Sequence, residues 1–544
     1  MLNSWIVLLP PLIAITLAII TRRVVPSLFI GLVLASLLIH NGDLIASSIF
    51  IMQRLWKVAQ FGNINAWQTF WQSNNLFTYF LLILLGILRE ILHISGAAYA
   101  FGLSVVRKIK NQKSLELATL GLSFFFFIDD YFNCLTVGSI ISSFSDKFRV
   151  PRLKIAMILT AISAPMAVLI PFSSWIATIM SYLKNAGVSM VPGNSIHIVA
   201  ADPYITILHA IPFLIYPLIV VISIWYIVLS RNTYGIVKLH ETIAETTNNT
   251  FGGKEPIAAT KQDISDKKIA RSSMLDFLLP IATLLIFVFL AICYDGNCWL
   301  LGGNRTMIQT VQTANFLGAF FIGSLLAVIL NLLFFLARKK LTIQESFFTI
   351  KEGFLSSVSS IVMLIVVWTL CDSLDVLGTG AYLASFVSGH ITLSWCPLIF
   401  FLIAAIMSGL MATAWGTMGM MIPLCLPIVT SLSGLPLPIA AHALSILPAV
   451  VGAIISGALV GNHISPISDI MFLASKSTGA YHTDVVKNQS GFTIPSIIST
   501  ICAFALLGIL SQYYSVVLSG IIALVSGACL NILFIRVLAR RAQG

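Results

Sequence analysis

The chain has 544 residues, 58% of them hydrophobic and only 9% charged. That composition excludes a soluble domain, because many apolar runs reach the ~20 residues a helix needs to cross a bilayer. The formal charge of +11 invites a nucleic-acid reading. The basic residues instead lie between apolar runs, where the positive-inside rule puts them, so no nucleic-acid partner is expected.

Trp5 to Ile20 reads as the first span, stopped by Arg22-Arg23. Those arginines predict an external N-terminus, and no basic residue precedes the run as a cleavable signal would require. Pro26 to His40 returns outward. Asn41 to Asn75 mixes Trp56, Trp67 and Trp71 with polar residues and reads as an interfacial amphipathic segment, with Arg54 and Lys57 set against the charge rule. Leu76 to His93 comes inward and carries Arg89-Glu90 near its end.

Next comes Phe124-Phe-Phe-Phe-Ile-Asp-Asp-Tyr-Phe-Asn133, with Asp129 and Asp130 inside an otherwise apolar run. Ionisable groups at that depth are functional by default, although an Asp there can also simply cap a helix. Basic clusters flank both sides, only about 30 residues apart, where two full crossings would need roughly 40. A re-entrant hairpin over about 114–146 follows, with the carboxylates near its tip.

Lys154 to Leu183 is expected to be a span broken at Pro165 and Pro171, and Pro203 to Leu229 a single returning span. Arg231 to Arg271 is polar and poor in large apolar residues, which predicts a mostly disordered cytoplasmic linker with solvated charges. The predicted organisation is therefore an N-terminal transmembrane half (1–230), a linker (231–272) and a C-terminal half (273–544). In the second half Leu275–Cys293, Ala314–Ala337 and Gly353–Asp375 are spans. A second hairpin runs about 396–431, and Pro438 to Ser475 is a span broken around Gly461 to Pro466. Phe492–Leu510 and Val516–Leu538 close the chain, and Arg536, Arg540 and Arg541 predict a cytoplasmic C-terminus. Cys293 and Cys298 flank a short loop and would pair only on an oxidising side.

The halves share an order of features. Ser95-Gly-Ala-Ala-Tyr-Ala100 is similar to Thr379-Gly-Ala-Tyr-Leu-Ala384, and Pro171-Phe-Ser-Ser174 to Pro466-Ile-Ser-Asp469. The fold class is thus an all-α polytopic membrane protein with two inverted-topology repeats, each holding a re-entrant hairpin and a broken helix. That arrangement points to a transport site near the midplane.

Three clusters should converge there: Asp129, Asp130 and Asn133; Thr413-Ala-Trp-Gly-Thr417; and Asn462, His463, Ser465, Ser468 and Asp469. Ser173 joins them from the first broken span. Carboxylate oxygens are hard ligands for cations. His463 is either a proton carrier or a packed core histidine, and Trp415 suits sealing a cavity better than binding.

Together these motifs, over about residues 80–490, resemble the NhaC-type Na+/H+ antiporter family. The resemblance implies a secondary transporter driven by Na+ or H+, without a cofactor. It departs from the family where an acid is common and this chain has Thr160, and where Asp is common and this chain has Asn462. The leading expectation is Na+/H+ exchange across the cell membrane, with Na+ at Asp130 and Asp469. The alternative is coupled transport of a small carboxylate or amino acid. An enzyme is not expected, since no HExxH, Walker or GxSxG motif is present. The oligomeric state is left open, a homodimer being one arrangement that fits.

Overall fold

The computed structural model describes residues 5–21, 23–60, 74–190, 198–256, 266–379, 382 and 391–542. Its helices of eight residues or more are, in order, α1 Leu9–Thr21, α2 Val24–Ile39, α3 Leu44–Ala59, α4 Asn74–Ile94, α5 Ala97–Val106, α6 Gln112–Phe125, α7 Asp130–Ser142, α8 Arg152–Leu169, α9 Ser174–Asn185, α10 Pro203–Ala210, α11 Ile215–Ser230 and α12 Gly235–Thr247. The second half adds α13 Met274–Asp295, α14 Phe316–Ala337, α15 Ile343–Leu377, α16 Cys396–Met411, α17 Ala414–Ser433, α18 Leu447–Ile464, α19 Asp469–Thr478, α20 His482–Leu510 and α21 Val516–Arg541. Val199–Ala200 pairs in parallel with Ile439–Ala440 as the strands among the described residues. Eleven helical stretches among the described residues are long and apolar enough to cross a bilayer. The chain is an all-α, multi-pass membrane protein.

Two helices define the centre. The most apolar stretches of α8 and α18 are 94% and 89% buried, against 33–67% for the other candidate spans. Each is the long arm of a broken span, and each lies on its own half's helix pair: α8 on α6 and α7, α18 on α16 and α17. The short arms cross over, α9 packing on α17 and α19 on α7. Small residues permit the closest approaches. A Cβ on Gly457 or Gly461 of α18 would overlap α16, and one on Gly138 of α7 would overlap Ser477 of α19.

Several expected boundaries shift. The α6 and α7 arms are 14 and 13 residues long, too short to cross, as a re-entrant hairpin requires. The second pair is longer, its arms lying in candidate spans of 19 and 20 residues. Pro165 does not break its helix: α8 runs through it and ends at Leu169. Enclosure by neighbouring helices allows such a proline. The span expected at Pro203–Leu229 is divided into α10, a 3-10 turn at Ile211–Phe213 and α11. Arg54, placed against the charge rule, forms an ion pair at 2.5 Å with Asp372 on α15. Arg22, Trp67, Trp71 and most of the 379–384 motif lie outside the described residues. Cys293 and Cys298 are free thiols.

The largest correction concerns the segment expected to be a mostly disordered linker. Residues 231–256 are folded onto both halves. Helix α12 buries Val237, His240, Glu241 and Ala244. Lys154, which opens the span expected over Lys154 to Leu183, is buried between Glu116 of α6 at 2.8 Å and Glu241 of α12 at 2.6 Å. Arg152 donates its backbone N–H to the Thr250 carbonyl at 3.0 Å. Towards the second half, Lys254 meets Asp484 at 2.6 Å, and Val237 donates its N–H to Asn488 Oδ1 at 3.2 Å. A polar composition hid these contacts, because the buried charges neutralise one another only after the halves assemble.

Removing the lysine alone would strand two buried carboxylates. Lys154→Met should lower stability by about 3–5 kcal/mol, read as the unfolding midpoint of purified protein, and an unchanged midpoint would contradict the burial. The short hairpin also implies that Asn111 and Lys147, both exposed, flank it on one side of the membrane. Cysteines placed there singly in a cysteine-free background should label from the same face; labelling from opposite faces would overturn the re-entrant geometry.

Candidate functional site

The first hairpin breaks at Phe126–Asp129. Asp129 is extended (φ −152°, ψ 134°) and accepts the Phe132 N–H at 2.9 Å, so it caps α7. Its carboxylate also lies 3.7 Å from Arg89, which is paired with Glu90 at 2.9 Å. Asp130 begins the helix and is 3% exposed. Its Oδ1 accepts the Trp175 indole N–H at 3.1 Å, while Oδ2 has no hydrogen-bond partner. The α7 N-terminus favours a negative charge there, yet one carboxylate oxygen remains open.

The first broken span supplies Trp175. Ser173 caps α9 by accepting the Ile176 N–H at 3.3 Å and donates its hydroxyl to the Ala167 carbonyl. The next residue, Ser174, donates its N–H to the Ile128 carbonyl at 3.1 Å, which docks the start of α9 on the hairpin turn. Trp175 is fully buried.

The second helix pair turns at Ala412, in the left-handed region (φ 57°), and Thr413 caps α17 by accepting the Gly416 N–H at 3.4 Å. Thr417 donates to the Thr413 carbonyl at 2.9 Å, so both hydroxyls bond within their own turn. Trp415 lies 4.6 Å from Trp175, ring centre to ring centre, at 40°.

The second broken span interrupts at Ser465–Ser468, where Ser468 donates to the Asn462 carbonyl at 2.9 Å. Asp469 begins α19, is exposed, and accepts the Tyr131 hydroxyl at 2.9 Å. No Lys or Arg among the described residues pairs with it within 4 Å. His463 is fully buried, with Nδ1 at 2.6 Å from the Tyr216 hydroxyl. Thr160 donates to the Ala156 carbonyl at 2.8 Å.

Asp129, Asp130 and Asp469 are therefore gathered around Tyr131, with Ser173 beside the same turn and Thr413 and Thr417 reached through the Trp175–Trp415 contact. His463 pairs with an aromatic hydroxyl instead of a carboxylate. Asn133 turns back to its own hairpin, Nδ2 donating to the Ser123 carbonyl at 2.8 Å. Sequence reasoning missed three participants. Tyr131 and Trp175 stand beside residues already singled out, and Arg89 is an ionisable group within an apolar span, a signal in itself. Among the described residues no three His, Cys, Asp or Glu side chains cluster as a metal centre. A cation here would rely on a carboxylate with carbonyl, hydroxyl or water oxygens.

The capping geometry separates the adjacent carboxylates. Asp129→Ala should cost about 0.5–2 kcal/mol, whereas Asp129→Asn, an equally good cap, should stay close to the wild-type unfolding midpoint. Equal losses in both variants would show that the Arg89 contact, not the cap, is what Asp129 supplies.

The chain is similar to several known proteins. A protein of Haemophilus influenzae described as uncharacterized is 27% identical over 504 residues, 92% of this chain and 90% of its own length. The YdaH transporter of Alcanivorax borkumensis, whose crystal structure is described as having an unusual topology, superposes with a TM-score of 0.53. That likeness is at 12% identity and covers 88% of this chain and 98% of YdaH. Neisseria gonorrhoeae MtrF, described within a class of antimetabolite efflux pumps, gives a TM-score of 0.42 at 14% identity, covering 86% and 85%. The YdaH likeness supports the fold alone. The model of the Na+/H+ antiporter family matches residues 166–511, a stretch running from the end of α8 to the end of α20. On that match the chain belongs to the Na+/H+ antiporter family and is a secondary transporter.

Proposed function

We propose that the chain exchanges Na+ for protons across the cytoplasmic membrane, with Asp130 as the carboxylate that holds either ion. The observation that carries this reading is the open Oδ2 of Asp130, buried and without a donor. A carboxylate in so dry a place is costly unless a proton or a cation completes it. Two ions competing for one pair of oxygens exclude each other, and mutual exclusion is the requirement of antiport. Asp469 approaches from the second half, exposed and accepting the hydroxyl of Tyr131, the residue that follows Asp130, and we assign it to ion entry and release. The crossed packing of short arms on opposite hairpins supports two repeats of inverted orientation, with the C-terminus and residues 231–256 on the cytoplasmic side.

A second reading, coupled transport of a small carboxylate or amino acid, is favoured by one feature. Thr160 and Asn462 are neutral where the family commonly has acids, and Thr160 spends its hydroxyl on its own helix.

Proteoliposomes with an imposed Na+ gradient and a trapped pH dye separate the two. The wild type should acidify or alkalinise the lumen according to gradient direction, with weaker Na+ affinity at lower pH because protons occupy the same oxygens. Asp130→Asn should abolish the flux, and Asp469→Asn should raise the apparent KM for Na+ by about tenfold, the equivalent of ~1.4 kcal/mol. Full flux in Asp130→Asn would remove it from the site. A wild type with Na+-dependent solute uptake and no proton flux would establish the second reading.

A further inference from the structure

We infer that Trp175 is a positioning residue through which the occupancy of Asp130 is transmitted to the tip of the second hairpin. The inference rests on the reading of Asp130 as the ion-binding carboxylate.

The argument starts from what an indole can do. Its N–H is a donor only, and here it is committed to Asp130 Oδ1 at 3.1 Å. A proton or Na+ arriving on this carboxylate withdraws charge from Oδ1 and weakens that bond. The released indole cannot turn freely, because Trp175 is fully buried and its ring lies against Trp415, 4.6 Å away. A rotation of Trp175 toward that ring displaces Trp415, two residues beyond the Thr413 cap that ends the second hairpin's turn.

The same helix holds hairpin two at a second level. Tyr182 lies seven residues after Trp175, about two turns further on the same face, and its hydroxyl donates to the Trp415 carbonyl at 3.3 Å. At its other end α9 is tied to hairpin one through the bond from Ser174 N–H to the Ile128 carbonyl. Helix α9 thus touches both hairpin tips, and Trp175 is the side chain on it that contacts both the ion-binding carboxylate and the opposite hairpin. A residue that merely filled space would not need its N–H on the carboxylate. One that merely satisfied Asp130 would not need its ring on Trp415.

The test uses Trp175→Phe in the full-length transporter, which keeps a ring against Trp415 and deletes the donor. Two quantities are read in detergent and proteoliposomes. The first is Na+ binding by calorimetry. The second is the Na+-induced change in labelling rate of a cysteine at Ala412, on the turn, in a cysteine-free background. The wild type should bind Na+ and change its labelling rate on binding. Trp175→Phe should still bind Na+, yet lose the labelling response and lower the turnover of transport by about tenfold or more. A labelling response of wild-type size in Trp175→Phe overturns the inference. So does a parallel loss of binding and response, which would make Trp175 a ligand-shell or folding residue. Should that variant fail to fold, Trp415→Leu breaks the same link without touching the Asp130 hydrogen bond, and it must show the same split. Na+ binding retained in Asp130→Asn would overturn the site assignment itself, and this inference with it, whatever Trp175→Phe does.

Discussion

Among the described residues, the helix interruptions at Phe126–Asp129, Ile170–Ser173, Ala412–Thr413 and Ser465–Ser468 each free backbone groups that lipid cannot satisfy. The rest of the structure follows from how they are closed. Asp129, Ser173 and Thr413 each accept an N–H from the helix they begin. Ser468 closes its break by donating to the Asn462 carbonyl. Because the closing groups are short polar side chains, each break carries its own polar cluster into the interior. The two long arms that lead into breaks, α8 and α18, are the most enclosed spans of the protein. The first hairpin's break is buried at Phe126–Ile128, whereas the break of the second broken span leaves Pro466 and Ile467 exposed.

Reciprocal packing joins the two halves there. Each short arm leaves its own hairpin and lies on the other's, α9 on α17 and α19 on α7. Asp130 is consequently built from one half's hairpin and that half's Trp175, while Asp469 arrives on the short arm of the other half. Asp130 meets Trp175 of its own half directly and the second half through the ring of Trp415. Asp130 is buried and Asp469 exposed, so the acidic cluster reaches from the dry interior to a wet surface.

A second polar network stands apart from the breaks, where residues 231–256 clasp α6, α8 and α20. Its centre is a lysine between two glutamates, and its edge is the Lys254–Asp484 pair. Such buried ion groups add little net stability when intact and cost heavily when broken. Their effect here is to fix how the connecting segment sits on both halves.

Much of this was legible in the chain itself. Hydropathy determined the membrane class and most spans, because a bilayer tolerates only long apolar helices. The first hairpin was readable from the short distance between basic flanks, and the break at Pro171 from local proline chemistry. The second break, expected around Gly461 to Pro466, starts only after Ile464 because the helix continues through Gly461. Motif order was enough to point to the family. Other features were decided only by the tertiary structure. Pro165 continues its helix because neighbours enclose it. Which of two consecutive aspartates caps and which is buried depends on where the helix starts, and a shift of one residue would exchange them. Glu241 looked like a solvated charge of the linker and Lys154 like a basic flank of a span, since an ion pair 87 residues apart has no local signature. Trp175 became a partner of Asp130 when α9 docked on its own hairpin turn, and Tyr131 of Asp469 when the other short arm crossed onto α7, for hydrogen bonds between distant segments are set by packing and not by spacing.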